Sequence, residues 1–144
     1  MISPWAYAVA PLVGALGALL RYALVTAGAG ARGAARATTH QRRWPSGGDE
    51  KHPFPSGVLA ANTIASLIAG VAAALTAAGT TGRLLATAAF CGGLSTLSTL
   101  AIDTVSLWRA GRHTAAVVNL GVTAAAGVLA AAGGYFAARL LSGG

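Results

Sequence analysis

Residues 91–100 read CGGLSTLSTL, and they lie inside an apolar segment that carries no charged residue between Leu84 and Asp103. Each glycine lowers helix stability by roughly 1 kcal/mol relative to alanine. The hydroxyl residues that follow can bond backbone groups freed by a break in a membrane helix. Glycines and hydroxyls also occur in ordinary membrane helices, so the stretch allows either an uninterrupted membrane helix or one that is broken near Gly92 and Gly93.

The composition supports a membrane protein. Hydrophobic residues make up 55% of the chain and charged residues 9%, whereas soluble domains carry roughly 25% charged residues. The net charge of +7 would indicate nucleic-acid binding in a soluble protein. However, half of the ten basic residues lie in one short segment, namely Arg32, Arg36, Arg42, Arg43 and Lys51. A basic loop beside a membrane explains this cluster better, so no nucleic-acid partner is expected.

Four segments are long enough to cross a membrane, which takes about 20 mostly apolar residues. They cover about 4–28, 56–79, 84–108 and 114–139. Because the second and third connections are very short, neighbouring spans are expected to be antiparallel. The predicted fold is an all-α membrane protein, with residues 1–144 forming a single four-span domain. The basic first loop, 29–55, is too short for a core of its own and is expected to be flexible or attached to lipid headgroups.

Few residues are candidates for metal binding or catalysis. The single cysteine, Cys91, excludes an intrachain disulfide. His40 and His52 lie in the polar first loop, where isolated histidines are usually solvated. No nucleophile–base pair is visible, so the sequence does not indicate an enzyme.

Several polar residues lie within the predicted spans. A buried amide in hydrocarbon must find a partner, so Asn62 either bonds a neighbouring helix or donates its N–H to an anion in a pore. Asn119 and Thr123 are four residues apart and share a helix face. Thr123 can instead bond its own helix backbone.

Arg21 and Asp103 are the ionisable residues inside the spans, and such charges suggest function by default. Arg21 is near the end of the first span and can extend toward the side of the basic loop. Asp103 approaches the same side of the membrane. An ion pair between them is one arrangement that the sequence allows.

Three stretches, taken in order, resemble the fluoride channel family called Fluc or CrcB. They are GALGALLRY at 14–22, GVLAANTIASLIAG at 57–70 and FCGGLSTLSTLAID at 90–103. The third is the most specific, because the family usually has Gly-Gly-Leu-Thr-Thr-Phe-Ser-Thr-Phe followed three residues later by an acid. Asp103 is that acid here. The resemblance covers nearly the whole chain except the enlarged first loop.

The resemblance implies passive fluoride efflux by a dimer of two four-span subunits in opposite orientations, without catalysis. It implies two narrow pores and a central sodium ion held by backbone carbonyls. Matched to this chain, those carbonyls fall on Gly92 and Ser95, and the motif arginine on Arg21. The implied pore positions are Asn62, Thr96, Leu97, Ser98, Thr99, Leu100 and Thr123.

Leu97 and Leu100 depart from the family, which has phenylalanine at both positions. An aromatic ring presents a partly positive edge to an anion, and leucine does not. Autonomous conduction by this chain is therefore in question.

The distribution of basic residues predicts a fixed orientation. Seven lie on the side of the first loop and the third connection, and two, Arg83 and Arg139, lie on the opposite side. The first loop is then cytoplasmic, with both termini outside the cell membrane. We therefore expect one subunit of a heterodimer, whose related partner has the opposite bias and supplies the phenylalanines.

Two alternatives remain open. One is a non-conducting partner subunit of a heterodimeric fluoride channel, which the two leucines suggest. The other is a small proton-coupled multidrug exporter, a class that also forms small antiparallel dimers. Such an exporter needs a carboxylate in the membrane, and Asp103 is the sole candidate.

Overall fold

The computed structural model describes residues 1–38 and 56–143, with the backbone alone described for 28–38. In order, the elements are α1 (Trp5–Thr38), α2 (Ser56–Leu75), α3 (Thr81–Arg83), a π-helix (Leu84–Cys91), α4 (Gly92–Leu94), α5 (Leu97–Arg109) and α6 (His113–Leu141). The elements from α3 to α5 together form the third span.

Four helical stretches are long and apolar enough to cross a membrane: Trp5–Ala27, Ser56–Leu75, Thr81–Arg109 and His113–Leu141. The prediction of an all-α, multi-pass protein with four spans is confirmed. The short third connection, between Arg109 and His113, is also found where the sequence placed it.

The first span differs from its predicted bounds. The helix α1 continues past residue 28 and ends at Thr38, so residues 29–38 belong to a helix and not to a loop. Half of these ten residues are alanine, the strongest helix former. Residues 39–55, which include His40 and His52, lie outside the described part of the chain.

Close approaches between backbones show the direction of each span. A Cβ atom on Gly57, at the start of α2, would meet the backbone of Val25 near the end of the first span. The first two spans therefore form an antiparallel hairpin. Gly127 of α6 lies beside Ser66 of α2, and Ala131 lies beside Gly70, one turn further along both helices. These two helices therefore run in the same direction, as alternating spans must.

The helix α1 packs against the third span through glycines. A Cβ atom on Gly17 would clash with the carbonyl oxygen of Phe90, and one on Gly93 would clash with the carbonyl oxygen of Gly14. Small residues allow such close approach, which holds helices together in lipid. Gly14 and Gly17 therefore place α1 directly against the third span.

The break in the third span lies at Ser95 and Thr96, two residues beyond the predicted glycine pair. Ser95 (φ −73°, ψ 157°) and Thr96 (φ −148°, ψ 111°) have extended backbones. Gly92 and Gly93 are helical. Thr96 is the N-cap of α5, because its side chain accepts a hydrogen bond from the Thr99 N–H. The broken third helix is confirmed, and the break lies just beyond the glycine pair, at Ser95 and Thr96.

A small core joins α2 to the third span beside the break. It consists of Ala61, Ala65, Cys91 and Leu94, and Leu94 is fully buried. Alanine at these positions lets the helix backbones come close. The core fixes the position of the break relative to Asn62, one residue after Ala61 on α2.

Candidate ion-binding site at the break in the third span

Asn62 bonds both polar backbone groups of Thr96. Its Nδ2 donates to the Thr96 carbonyl oxygen at 3.3 Å, and its Oδ1 accepts from the Thr96 N–H at 2.7 Å. In an uninterrupted α-helix that N–H would bond the Gly92 carbonyl. Of the two roles left open for Asn62, the interhelical hydrogen bond is therefore present. Its second Nδ2–H is not used by the described residues and is the donor left for an anion.

Three hydroxyl side chains gather at the start of α5. The Thr96 Oγ1 donates to the Thr99 Oγ1 at 2.9 Å, accepts from the Thr99 N–H at 3.2 Å and lies 3.3 Å from the Ser98 Oγ. Thr96 is buried and Ser98 is exposed. The start of a helix also carries a partial positive charge. The hydroxyls predicted from the third motif are thus brought together in a setting that favours an anion.

Arg21 reaches the break from α1. Its Nη1 donates to the Ser95 carbonyl oxygen at 3.3 Å. Within the described residues no ion pair joins Arg21 to Asp103, so the arrangement that the sequence allowed is not formed. The extended backbone of Ser95 offers Arg21 a carbonyl oxygen that α5 does not use. Asp103 is half-buried further along α5.

The carbonyls of Gly92 and Ser95 are those predicted to hold sodium. The usual helical donor to Gly92, the Thr96 N–H, is bonded to Asn62 instead. Gly92 is exposed, and a Cβ atom there would meet just one atom within 4 Å, the Thr87 carbonyl oxygen. Backbone carbonyls released at a helix break are typical ligands of sodium in membrane proteins. The residues therefore fit a cation, provided that further oxygens come from outside this chain.

Thr123 makes no hydrogen bond to these residues, and Asn119, one turn before it on α6, belongs to a separate hydrogen-bonded group. Asn119 Nδ2 donates to Thr104 Oγ1 at 3.1 Å, and Thr104 Oγ1 donates to the Leu100 carbonyl at 2.8 Å. Asn119 Oδ1 and Thr123 Oγ1 are buried without a hydrogen-bond partner among the described residues. The bond from Thr123 to its own helix is therefore absent.

The sequence pattern did not predict Thr104 as a member of a polar group. The available signal was a hydroxyl in an apolar helix, one residue after the motif acid. Its partner Asn119 was noted for its position on the face of Thr123.

The two leucines at the family's phenylalanine positions have opposite surroundings. Leu97 is 77% exposed, whereas Leu100 is 6% exposed. Leu100 thus packs within the subunit. Leu97 is the one of the two that can contact lipid or another subunit.

The chain is similar to known proteins along most of its length. The family model described as CrcB-like protein, Camphor Resistance (CrcB), matches residues 8–135. The fluoride-specific ion channel FluC 1 of Thermobifida fusca is 40% identical over 117 residues, which cover 81% of this chain and 82% of that protein. The fluoride-specific ion channel FluC of Renibacterium salmoninarum is 33% identical over 123 residues, covering 83% and 88%. FluC 1 of Rhodopseudomonas palustris is 33% identical over 129 residues, covering 84% and 88%.

The matched residues include Arg21, Asn62, the break and the start of α6. The relatives are named as ion channels, which are not enzymes. With four spans and a match along most of its length, this chain belongs to the CrcB-like family.

Proposed function

We propose that this chain is a subunit of a fluoride-selective channel that lets fluoride leave the cell passively. The observation that carries the proposal is the gathering of Asn62, Thr96, Ser98 and Thr99 at the broken third span. Fluoride is small and strongly hydrated, so a pore must replace its water with many well-placed donors. Hydroxyl and amide groups provide such donors without the desolvation cost of a charged Lys or Arg side chain.

Each group at the break has its own task. The second Nδ2–H of Asn62 and the Ser98 hydroxyl donate to the ion. Thr96 and Thr99 hold the start of α5 in place through their mutual hydrogen bonds. Transport needs neither catalysis nor ATP, because HF that enters the cell as a weak acid and dissociates there supplies the gradient.

The Gly92 and Ser95 carbonyls, together with the same pair from a second subunit, would hold sodium. The bound ion would supply a fixed positive charge that offsets the cost of an anion in a low dielectric. The diversion of the Thr96 N–H to Asn62 supports this assignment.

We infer a second four-span subunit in the opposite orientation. The exposed Gly92 and Leu97 offer a contact surface at the break. The seven-to-two bias of basic residues favours one orientation of this chain in the cell membrane, with the first loop cytoplasmic. A related but different chain would then supply the other orientation, and lipid would cover the remaining apolar faces.

A non-conducting role within the same heterodimer is the second candidate. It is favoured by Leu97, whose exposed side chain presents no aromatic edge where the family has a ring. A proton-coupled exporter has less support, because Asp103 lies outside the polar cluster of the break.

Fluoride efflux from liposomes, followed with a fluoride electrode, tests the proposal. The chain is reconstituted alone and with a co-expressed related subunit of opposite charge bias. We expect fluoride efflux without chloride efflux from the pair, and little from the chain alone. Absence of fluoride efflux in both arms would contradict a channel. Robust fluoride efflux from the chain alone would instead show that no partner subunit is required.

A further inference from the structure

Arg21 brings a positive charge to the same carbonyl that the proposed sodium site uses. Its Nη1 lies 3.3 Å from the Ser95 oxygen. Among the described residues this carbonyl is its single hydrogen-bond partner, and no carboxylate pairs with it. A charge without a counter-charge is costly in a membrane. The position of this guanidinium therefore has electrostatic consequences for the break.

Packing on both sides holds Arg21 and Ser95 together. Arg21 is one turn beyond Gly17, on the same face of α1, and Gly17 lies against the backbones of Phe90 and Leu94. On the α2 side, the Asn62 side chain hydrogen-bonds the carbonyl and the N–H of Thr96, the residue that follows Ser95. The approach of the guanidinium is therefore set by backbone packing.

We propose that the Arg21 guanidinium is a tethered cation at the break, which shares the Ser95 carbonyl with sodium and lowers the affinity of that site for the ion. This inference rests on the sodium site of the proposed function. Two positive charges on one oxygen lie a few ångströms apart and repel strongly in a low dielectric. When sodium leaves, the guanidinium keeps the break positive, so an anion still meets a favourable potential.

Arg83 offers a matched control. Its Nη1 donates to the Thr76 carbonyl, also at 3.3 Å and also from a part-buried position. This bond lies at the opposite end of the third span from Arg109, near the end of α2 and away from the break. Arg83→Gln removes this charge and therefore measures how the loss of any arginine–carbonyl bond affects the apparent sodium affinity.

The test titrates sodium against the thermal unfolding midpoint of the purified protein, assembled with its partner if it needs one. N-methylglucamine chloride keeps the ionic strength constant. Sodium that binds the folded state raises the midpoint, and the concentration dependence gives its apparent affinity. Arg21→Gln keeps a donor for the carbonyl but loses the charge, and we expect it to bind sodium at least about tenfold more tightly. Arg21→Lys and Arg83→Gln should stay close to the unmodified protein.

Unchanged or weaker sodium binding by Arg21→Gln would overturn the inference. If sodium changes the unfolding midpoint of neither the unmodified protein nor Arg21→Gln, the inference is overturned as well. If Arg21→Gln does not fold, Arg21→Met replaces it, with the same expectation. Fluoride efflux from the same preparations separates the two proposals. Fluoride efflux without a sodium response would contradict the inference about Arg21 and leave the channel function standing. Tighter sodium binding by Arg21→Gln without any fluoride efflux would contradict the channel function and leave the inference standing.

Discussion

Asn62 replaces, with one side chain, the backbone bonding that Thr96 gives up at the break. Both the N–H and the carbonyl of Thr96 bond the same amide. Leaving a buried polar group unsatisfied costs about 1–3 kcal/mol. Asn62 therefore stabilises the conformation from which the hydroxyl cluster projects, in addition to any contact with the transported ion.

This double role predicts different results for two substitutions. Asn62→Ala loses both bonds, so we expect the free energy of unfolding to fall by about 2 kcal/mol and fluoride efflux to be lost. Asn62→Asp still accepts from the Thr96 N–H but donates nothing when ionised and repels fluoride. It should keep part of the stability and still abolish efflux.

Unfolding in SDS and efflux from liposomes measure the two effects of Asn62. Thr26→Ala is the control, because Thr26 is half-buried and its hydroxyl bonds only the backbone of its own helix. Efflux by Asn62→Asp at the level of the unmodified protein would contradict a donor role for Asn62.

Leu97 and Leu100 should respond oppositely to enlargement. Leu100 is 6% exposed, so Leu100→Phe overpacks its site and should cost about 1–3 kcal/mol of stability. Leu97 is 77% exposed, so Leu97→Phe should leave the stability of the subunit unchanged while restoring a ring edge at the break. We expect Leu97→Phe to raise fluoride efflux from the chain assembled with its partner subunit. Equal loss of stability in both variants, measured by unfolding in SDS, would refute this division.

At the level of the helices, the contact between α1 and the third span depends on glycine. The clashes that Cβ atoms would make at Gly17 and Gly93 involve backbone atoms, which have no flexible end to move aside. The two helices would have to separate. Since Arg21 and Ser95 are carried by these helices, their hydrogen bond would separate with them.

We therefore expect Gly17→Ala and Gly93→Ala each to lower stability by more than about 2 kcal/mol and to reduce efflux. Gly133→Ala is the control, because Gly133 is a helical, exposed glycine with nothing within 4 Å of an added Cβ. There the gain in helix propensity should stabilise α6 slightly. Unfolding in SDS compares the three variants. Similar stability for all of them would show that the close approach is unimportant.

The same glycines show what the sequence could and could not predict about the elements. The spans were predictable, because about 20 apolar residues in a row have few alternatives to a membrane helix. The position of the break was not, because glycine both weakens a helix and permits close approach. The nearness of Gly14 to Gly93 depends on tertiary packing. The N-cap pattern of Thr96 and Thr99 was the local signal that marked the true break.

At the level of the whole molecule, the motif residues do not form a single hydrogen-bonded group. Arg21 bonds the Ser95 carbonyl at the break, and Asn62 bonds Thr96 there. Thr123 makes no hydrogen bond to them, and Asn119, one turn before it on α6, bonds Thr104 of α5. A pattern within one chain could not predict this division, because it depends on which helices pack together.

The orientation of the chain decides between a homodimer and a heterodimer. Seven basic residues against two predict that every copy inserts with its termini outside. The single cysteine is buried, so the background for thiol labelling is low. Ser142→Cys and Thr114→Cys then place exposed thiols at opposite ends of α6. A membrane-impermeant maleimide should label Ser142→Cys fully in intact cells. It should label Thr114→Cys only after the cells have been permeabilised.

If the thiols of Ser142→Cys and Thr114→Cys are each labelled to about half in intact cells, the chain inserts in both orientations. The heterodimer hypothesis would then be wrong. A single orientation leaves an antiparallel channel without its second half unless another chain supplies it. The labelling result therefore fixes how the efflux of the chain alone is to be interpreted: one orientation with no efflux supports a required partner. One orientation with full efflux would exclude the antiparallel arrangement itself.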